Sequence, residues 1–313
     1  MVERVRRALH VRRVGHTGTL DPLATGVLPI VVGRATRLAS LLATGGKCYE
    51  AIIRLGVVTD TYDVTGRVLR ESPPPSAQRA WTEGGEPDRL NDVRRCFLGT
   101  FRQNPPPFSA KKVGGVRAYR LARRQSAVAV RPVEVTVHEL ELWPIDQTRL
   151  GCRVTCSPGF YVRALAHDLG ERLGSGACLE ALRRERSGAF GLDRAVSLPV
   201  LEAEGPAALG RLMPLGALLP ELPGLVLTSR GARRAAHGNL VSPDDVAAAS
   251  PPAPGGVPSV AVPLGHPGGT LAASGALEHS RSPRVKLFDA EGMLVAIAEP
   301  TRERLLHPTI VLV

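Results

Sequence analysis

Apolar and polar positions alternate from Tyr49 to Val57, with Tyr49, Ala51, Ile53 and Leu55 opposed to Glu50, Ile52 and Arg54. Such alternation marks a strand with one buried face. Similar β-type runs cover Val133–Leu142 and Leu150–Cys156, and Val27 to Val32 reads as a short buried strand. Helical spacing is expected over residues 1–13, Thr36–Leu42, Leu90–Leu98, Ala118–Arg124, Gly159–Leu173 and Ala177–Arg186. Asp63-Val64-Thr65-Gly66 is a turn leading into Arg67–Arg70, and Val285–Phe288 with Met293–Ala298 reads as a β-hairpin. Pro105-Pro106-Pro107 excludes a helix interior there.

Two stretches lack periodicity. Residues 71–88 are rich in Pro, Gly and Glu and read as a surface loop. Residues 242–283 hold eight prolines and six glycines but four charges, the composition of a loop or linker. A small β-rich C-terminal domain is expected from about residue 221, after a larger domain over residues 1–220. No apolar run approaches the roughly 18 residues that span a membrane.

Charge changes the picture. The 313 residues carry a formal net charge of +11. From Val93 to Val133 there is no Asp or Glu, yet there are ten cations, nearly the whole surplus in one stretch. A merely solvated face would mix signs, so a polyanion such as nucleic acid is the implied partner. The five cysteines include no C-x-x-C pair and have no His nearby at ligand spacing, which argues against zinc. They read as small buried hydrophobes of a reducing compartment.

The segment Gly15-His16-Thr17-Gly18-Thr19-Leu20-Asp21-Pro22-Leu23-Ala24-Thr25-Gly26 is the candidate for chemistry. Three glycines, small hydroxyls and a proline fix an irregular backbone around one acid, Asp21. It closes with neither the Gly-Lys-Ser/Thr of a P-loop nor a G-x-G-x-x-G fingerprint. By spacing alone, Asp21 is equally a cap for the turn before Pro22. Tyr49 is equally a core tyrosine, Leu182 a helix-core leucine, and Arg163 a surface arginine.

Here the sequence resembles the TruB family of tRNA pseudouridine synthases. His16–Gly26 is similar to that family's signature loop. Lys47-Cys48-Tyr49 resembles its K-x-Y. Pro106–Lys112, with Gly115, Tyr119, Ala122 and Arg123, resembles its P-P-x-[FY]-S-A-x-K segment and the positions immediately after it. Cys156–Arg163 resembles C-S-x-G-x-Y-[IV]-R, and Leu182-Arg183-Arg184 the subsequent L-R-R. These five motifs run in family order across about residues 14–200. The family pattern also has a strand and a K-P-x-G-x-T-S turn about fifteen residues upstream of where this sequence opens.

The resemblance implies an α+β fold, with a mixed, largely antiparallel sheet flanked by helices, followed by a PUA-like domain into which 242–283 is inserted. It implies isomerisation of the tRNA T-loop uridine, position 55, with no cofactor. A cytoplasmic monomer without metal is the default expectation. Asp21 would be the catalytic carboxylate and Arg163 its guanidinium partner. A shared facing of Tyr161 and Arg163 is expected if that segment is extended. Tyr49 would lie against the uracil, with Tyr161 and Leu182 lining the pocket and His16 wedged into the T-loop. Lys111, Lys112, Arg117, Arg120 and Arg123 would hold phosphates within a tRNA-clamping segment at about 104–131. The rival readings are a guide-RNA-dependent synthase of the dyskerin type, an inactive RNA-binding protein and a generic DNA-binding protein. The last lacks any helix-turn-helix or zinc pattern.

Overall fold

The computed structural model describes residues 1–72, 88–108, 112–113, 116–117, 131–249 and 284–313. The expected 118–124 helix lies outside these residues, as do most of the 71–88 and 242–283 loops. The described chain divides into two compact units.

The first unit comprises His16–Ile30 and Ser40–Ser197. Its strands are β1 (Ala24–Gly26), β2 (Lys47–Leu55), β3 (Gly99–Gln103), β4 (Val133–Pro144), β5 (Arg149–Cys156), β6 (Ala177–Ser187) and β7 (Phe190–Gly191). They form one seven-stranded sheet in the order β7-β6-β2-β5-β4-β3, with β1 attached to β6. All pairings are antiparallel except β1 with β6. The alternation read from β2 is realised: Tyr49, Ala51, Ile53 and Leu55 are buried, and Arg54 is exposed. They meet Cys152, Val154 and Cys156 of β5 and Leu165, Ala166 and Leu169 of helix α2 (Val162–Leu173) in one core. Helix α1 (Asp88–Arg95) adds Val93 to that core. The α2 helix ends where Gly174 turns left-handed at φ 82°, a conformation suited to glycine.

The second expected helix, Ala177–Arg186, is instead strand β6. Its residues favour helix, but β6 lies between β2 and β1, where ladder pairing on both edges outweighs intrinsic propensity. Register shifts at Leu179/Ala181 and Arg184/Arg186 break the period-two signal that would have revealed it. The expected 27–32 strand is confined to Ile30–Val32, and the N-terminal helix to Val2–Ala8.

The second unit comprises Met1–Gly15, Val31–Ala39 and Leu198–Val313. Five strands, β8 (Gly224–Leu227), β9 (Val246–Ala249), β10 (Val285–Phe288), β11 (Leu294–Pro300) and β12 (Leu306–Val311), pair in the order β9-β8-β10-β11-β12. The expected hairpin is present as β10–β11, its turn closed by the Met293 N–H donating to Asp289 Oδ1 at 2.7 Å. Of the cysteines, Cys152, Cys156 and Cys178 are buried as expected and Cys48 partly so, but Cys96 is exposed. Burial pushes the Cys152 and Cys156 thiols up to about 12, so both stay protonated.

Candidate active site

The glycine-rich loop precedes β1. The Ala24 N–H donates to the Asp21 carbonyl at 2.9 Å, closing a turn with Pro22 in its second position. Asp21 thus closes this turn with its backbone, and its side chain is engaged elsewhere. Arg163 Nε donates to Asp21 Oδ2 at 2.8 Å, and Arg163 Nη2 donates to Asp21 Oδ1 at 3.0 Å. This is a bidentate, charge-assisted pair. Its two ends differ in exposure: the Arg163 side chain is 6% exposed and the Asp21 side chain 31%. The cation is locked in the protein while the carboxylate retains an open side.

Arg163 has further partners. Nη1 donates to the Thr61 carbonyl at 2.9 Å and lies 3.6 Å from Asp63 Oδ2, and Nη2 also donates to the Phe108 carbonyl at 3.0 Å. All five guanidinium N–H donors therefore have an acceptor nearby. Asp63 is itself buried and fixed: its Oδ1 accepts from the Thr65 N–H at 3.0 Å and from the Thr61 hydroxyl at 2.9 Å. A buried guanidinium is tolerated when it is paired and hydrogen-bonded, and here four hydrogen bonds and a second ion pair, to Asp63, provide that.

The expected common facing of Tyr161 and Arg163 along an extended segment is not what occurs. Tyr161 is extended (φ −111°, ψ 108°) but caps α2, and Arg163 lies in the first helical turn. Gln103 holds the entry, donating to the Tyr161 carbonyl at 3.0 Å and accepting from its N–H at 2.8 Å. Helical geometry aims Arg163 at the loop, and the residue is buried rather than on the surface.

Tyr49, 8% exposed, stands on β2 opposite Arg184 of β6. Burial raises its phenol above the ordinary value; the Arg184 guanidinium opposes that rise, and the Asp21 carboxylate adds to it. The phenol is thus within electrostatic reach of both the guanidinium and the acid of the loop. Leu182, 6% exposed, is paired with Ala51 on one side and Ala24 on the other, so β6 carries it to the end of the loop.

The profile for the TruB family pseudouridylate synthase (N terminal domain) matches residues 6–162, and that for the tRNA pseudouridylate synthase B C-terminal domain matches residues 163–215. A tRNA pseudouridine synthase B of Solibacter usitatus is 38% identical over 316 residues, covering all of this chain and 94% of the relative. The protein of the same name from Thermobifida fusca is 43% identical over 252 residues, covering 78% and 82%. The chain belongs to the TruB family. Among solved structures, an archaeal box H/ACA sRNP Nop10-Cbf5 complex contains a chain matched at TM-score 0.63 and 20% identity, over all of this chain and 81% of that one. That likeness supports the fold.

Other expected TruB-family positions are less convergent. His16 is exposed, and its Nδ1 accepts from the Gly18 N–H at 3.2 Å, which orients the ring at the mouth of the loop. Tyr161 is half-buried beside Arg163 in sequence. Lys112 and Arg117 are backbone partners in an antiparallel pair of two-residue strands. Lys111, Arg120 and Arg123 lie outside the described residues. Among those residues, no cluster of His, Cys, Asp and Glu could hold a metal ion, and no helix is long and apolar enough to cross a membrane.

Sequence reasoning missed Asp63, Thr61 and Arg184. Asp63 was legible only as the head of a turn. Its buried carboxylate has no signature beyond the hydroxyls of Thr61 and Thr65 flanking it. Arg184 stood within a recognised motif but had no role.

Proposed function

We propose that this chain isomerises uridine 55 in the tRNA T-loop to pseudouridine, as a cytoplasmic monomer without cofactor. The observation that carries the reading is the Asp21–Arg163 pair: a partly open carboxylate kept beside a buried, fully engaged guanidinium. Names borne by relatives at 38–43% identity support tRNA as substrate and favour the stand-alone enzyme over a guide-RNA-dependent one.

The reaction breaks the N1–C1′ bond, turns the base and forms a C5–C1′ bond. C5 loses a proton and N1 gains one, so the product has the substrate's formula. Asp21 supplies the nucleophilic carboxylate, and Arg163 holds both of its oxygens in a bidentate pair. The target base must leave its stack, at a cost of a few kcal/mol. Leu182 and Tyr161 would wall the pocket that receives it, and His16 would fill the gap left in the T-loop. Tyr49 would lie against the uracil as a neutral phenol. Its hydroxyl would relay the C5 proton rather than wait as a phenolate, since burial favours the protonated form.

Lys111, Lys112, Arg117, Arg120 and Arg123 would grip phosphates, and the five-stranded sheet of the second unit would serve as a PUA-like domain touching the acceptor stem. The experiment uses tRNA transcript tritiated at uracil C5. Release of tritium by this chain and none by Asp21→Asn is the expected result. Equal release by both would remove Asp21 from the chemistry; no release by either, with tRNA bound, would favour an RNA-binding protein.

A further inference from the structure

Arg184 is among the most thoroughly buried side chains of the protein, at 1% exposure. Its acceptors are backbone carbonyls around the Asp21 loop: Nε donates to the Val27 carbonyl at 2.7 Å, and Nη1 reaches toward the Thr19 carbonyl at 3.5 Å. The β6 backbone at the same residue pairs with Gly26 of β1 and with Tyr49 of β2. One residue therefore meets both flanks of the Asp21 turn and the strand that carries Tyr49.

Its remaining nitrogen is the unusual feature. Among the described residues, Arg184 Nη2 is buried and has no hydrogen-bond partner. An unmet donor on a buried charge is costly, so natural proteins rarely keep one without use. Arg184 and Tyr49 are direct cross-strand partners, so their side chains stand on one face of the sheet, and the Arg184 charge opposes the rise that burial causes in the Tyr49 phenol. A second buried cation, Lys47, shares the region; its Nζ is spent on the Ala43 and Gly45 carbonyls, each at 3.1 Å. Burial lowers the Lys47 ammonium below its ordinary value, and the neighbouring Arg184 lowers it further. Lys47 is thus committed to its own loop, which leaves Arg184 as the cation free to answer a change at the phenol.

We propose that Arg184 is a positioning residue for the reaction: it ties the Asp21 loop to β6 and presents an open donor to the Tyr49 hydroxyl, steadying that oxygen when it gains negative charge. This rests on the isomerase reading above. The balance is simple. As the Tyr49 oxygen gives up the proton that N1 gains and receives the one that C5 loses, partial negative charge appears and disappears on it. Arg184 remains protonated throughout and exchanges nothing. The groups acting on the phenol are Arg184, the Cys156 thiol and Asp21, and of these Arg184 is the cation.

The test has two readouts. The first needs no catalysis: tyrosinate absorbance is titrated in the full chain, and the Tyr49 contribution is taken as the difference from Tyr49→Phe. Arg184→Gln should move that contribution to higher pH by about one unit or more. The second is single-turnover tritium release. Arg184→Gln should slow it by about tenfold or more, but by less than about twofold when Tyr49→Phe is already present. An unmoved titration, or equal losses in both backgrounds, would overturn the proposal. Should Arg184→Gln fail to fold, Arg184→Lys keeps the charge but loses the fork, and the same rate comparison applies with the same two outcomes. If the unsubstituted chain releases no tritium, the isomerase reading fails, and the titration still decides whether Arg184 and Tyr49 are coupled.

Discussion

Replacing Arg163 by lysine preserves the charge and removes the fork. Five N–H donors of Arg163 serve Asp21 twice, and Thr61, Phe108 and Asp63 once each. A lysine brings three donors on one nitrogen, so at least two contacts are lost. Each hydrogen bond to a charged group contributes about 1.5–3 kcal/mol, which puts the loss at about 3–6 kcal/mol. If that loss is felt at the transition state, single-turnover tritium release falls by about 10²–10⁴-fold. Stability should separate the two components. Arg163→Met strands Asp63, whose side chain is 5% exposed, and should cost about 3–5 kcal/mol in urea unfolding. Arg163→Lys should cost clearly less. A rate for Arg163→Lys within about threefold of the unsubstituted chain would refute the view that bidentate geometry, rather than charge alone, matters.

Other residues of the chain support three further predictions. At Gly26, φ is +95° and an added Cβ would lie 2.2 Å from the Arg184 carbonyl oxygen, so Gly26→Ala should cost about 2–4 kcal/mol through backbone strain and loss of the β1–β6 ladder; a cost under about 1 kcal/mol by denaturant titration would contradict this. His167 stacks on Tyr62 with ring centroids 3.9 Å apart, and burial lowers its folded pKa below the ordinary 6.5. The unfolded chain then takes the proton first, so stability falls as pH drops from 6.5 through the folded value; His167→Phe, which keeps the stack, should flatten that limb, and unchanged pH-dependent melting would exclude it. The five phosphate contacts proposed for Lys111, Lys112, Arg117, Arg120 and Arg123 would give a slope of roughly −4 for log affinity against log salt in tRNA binding, and a flat dependence would remove them from the interface.

The legible parts of the sequence were those where one physical signal stood alone. The β2 alternation from Tyr49 to Leu55 survived because a single face is buried and the extra residues in its pairing with β6 fall on β6, not on β2. Asp21 and Arg163 were legible through their motifs, and the structure joins them. Strand β6 was not legible, because Ala, Leu, Glu and Arg favour helix and two register shifts hide the alternation. Tyr161 and Arg163 were misjudged in orientation for a related reason: a local i, i+2 spacing cannot reveal that α2 begins between them, at Val162. Asp63 escaped because its importance is tertiary. Only the folded chain brings its carboxylate to a guanidinium so distant in sequence.

The saturation of Arg163 bears on how a small molecule would compete for this site. A ligand carboxylate or phosphate directed at that arginine would find no unspent donor and would have to displace Asp21, Asp63 or a backbone carbonyl. Anionic fragments should therefore be poor starting points here despite the +11 charge of the chain. Neutral fragments that carry a donor for the open edge of the Asp21 carboxylate suit this site better.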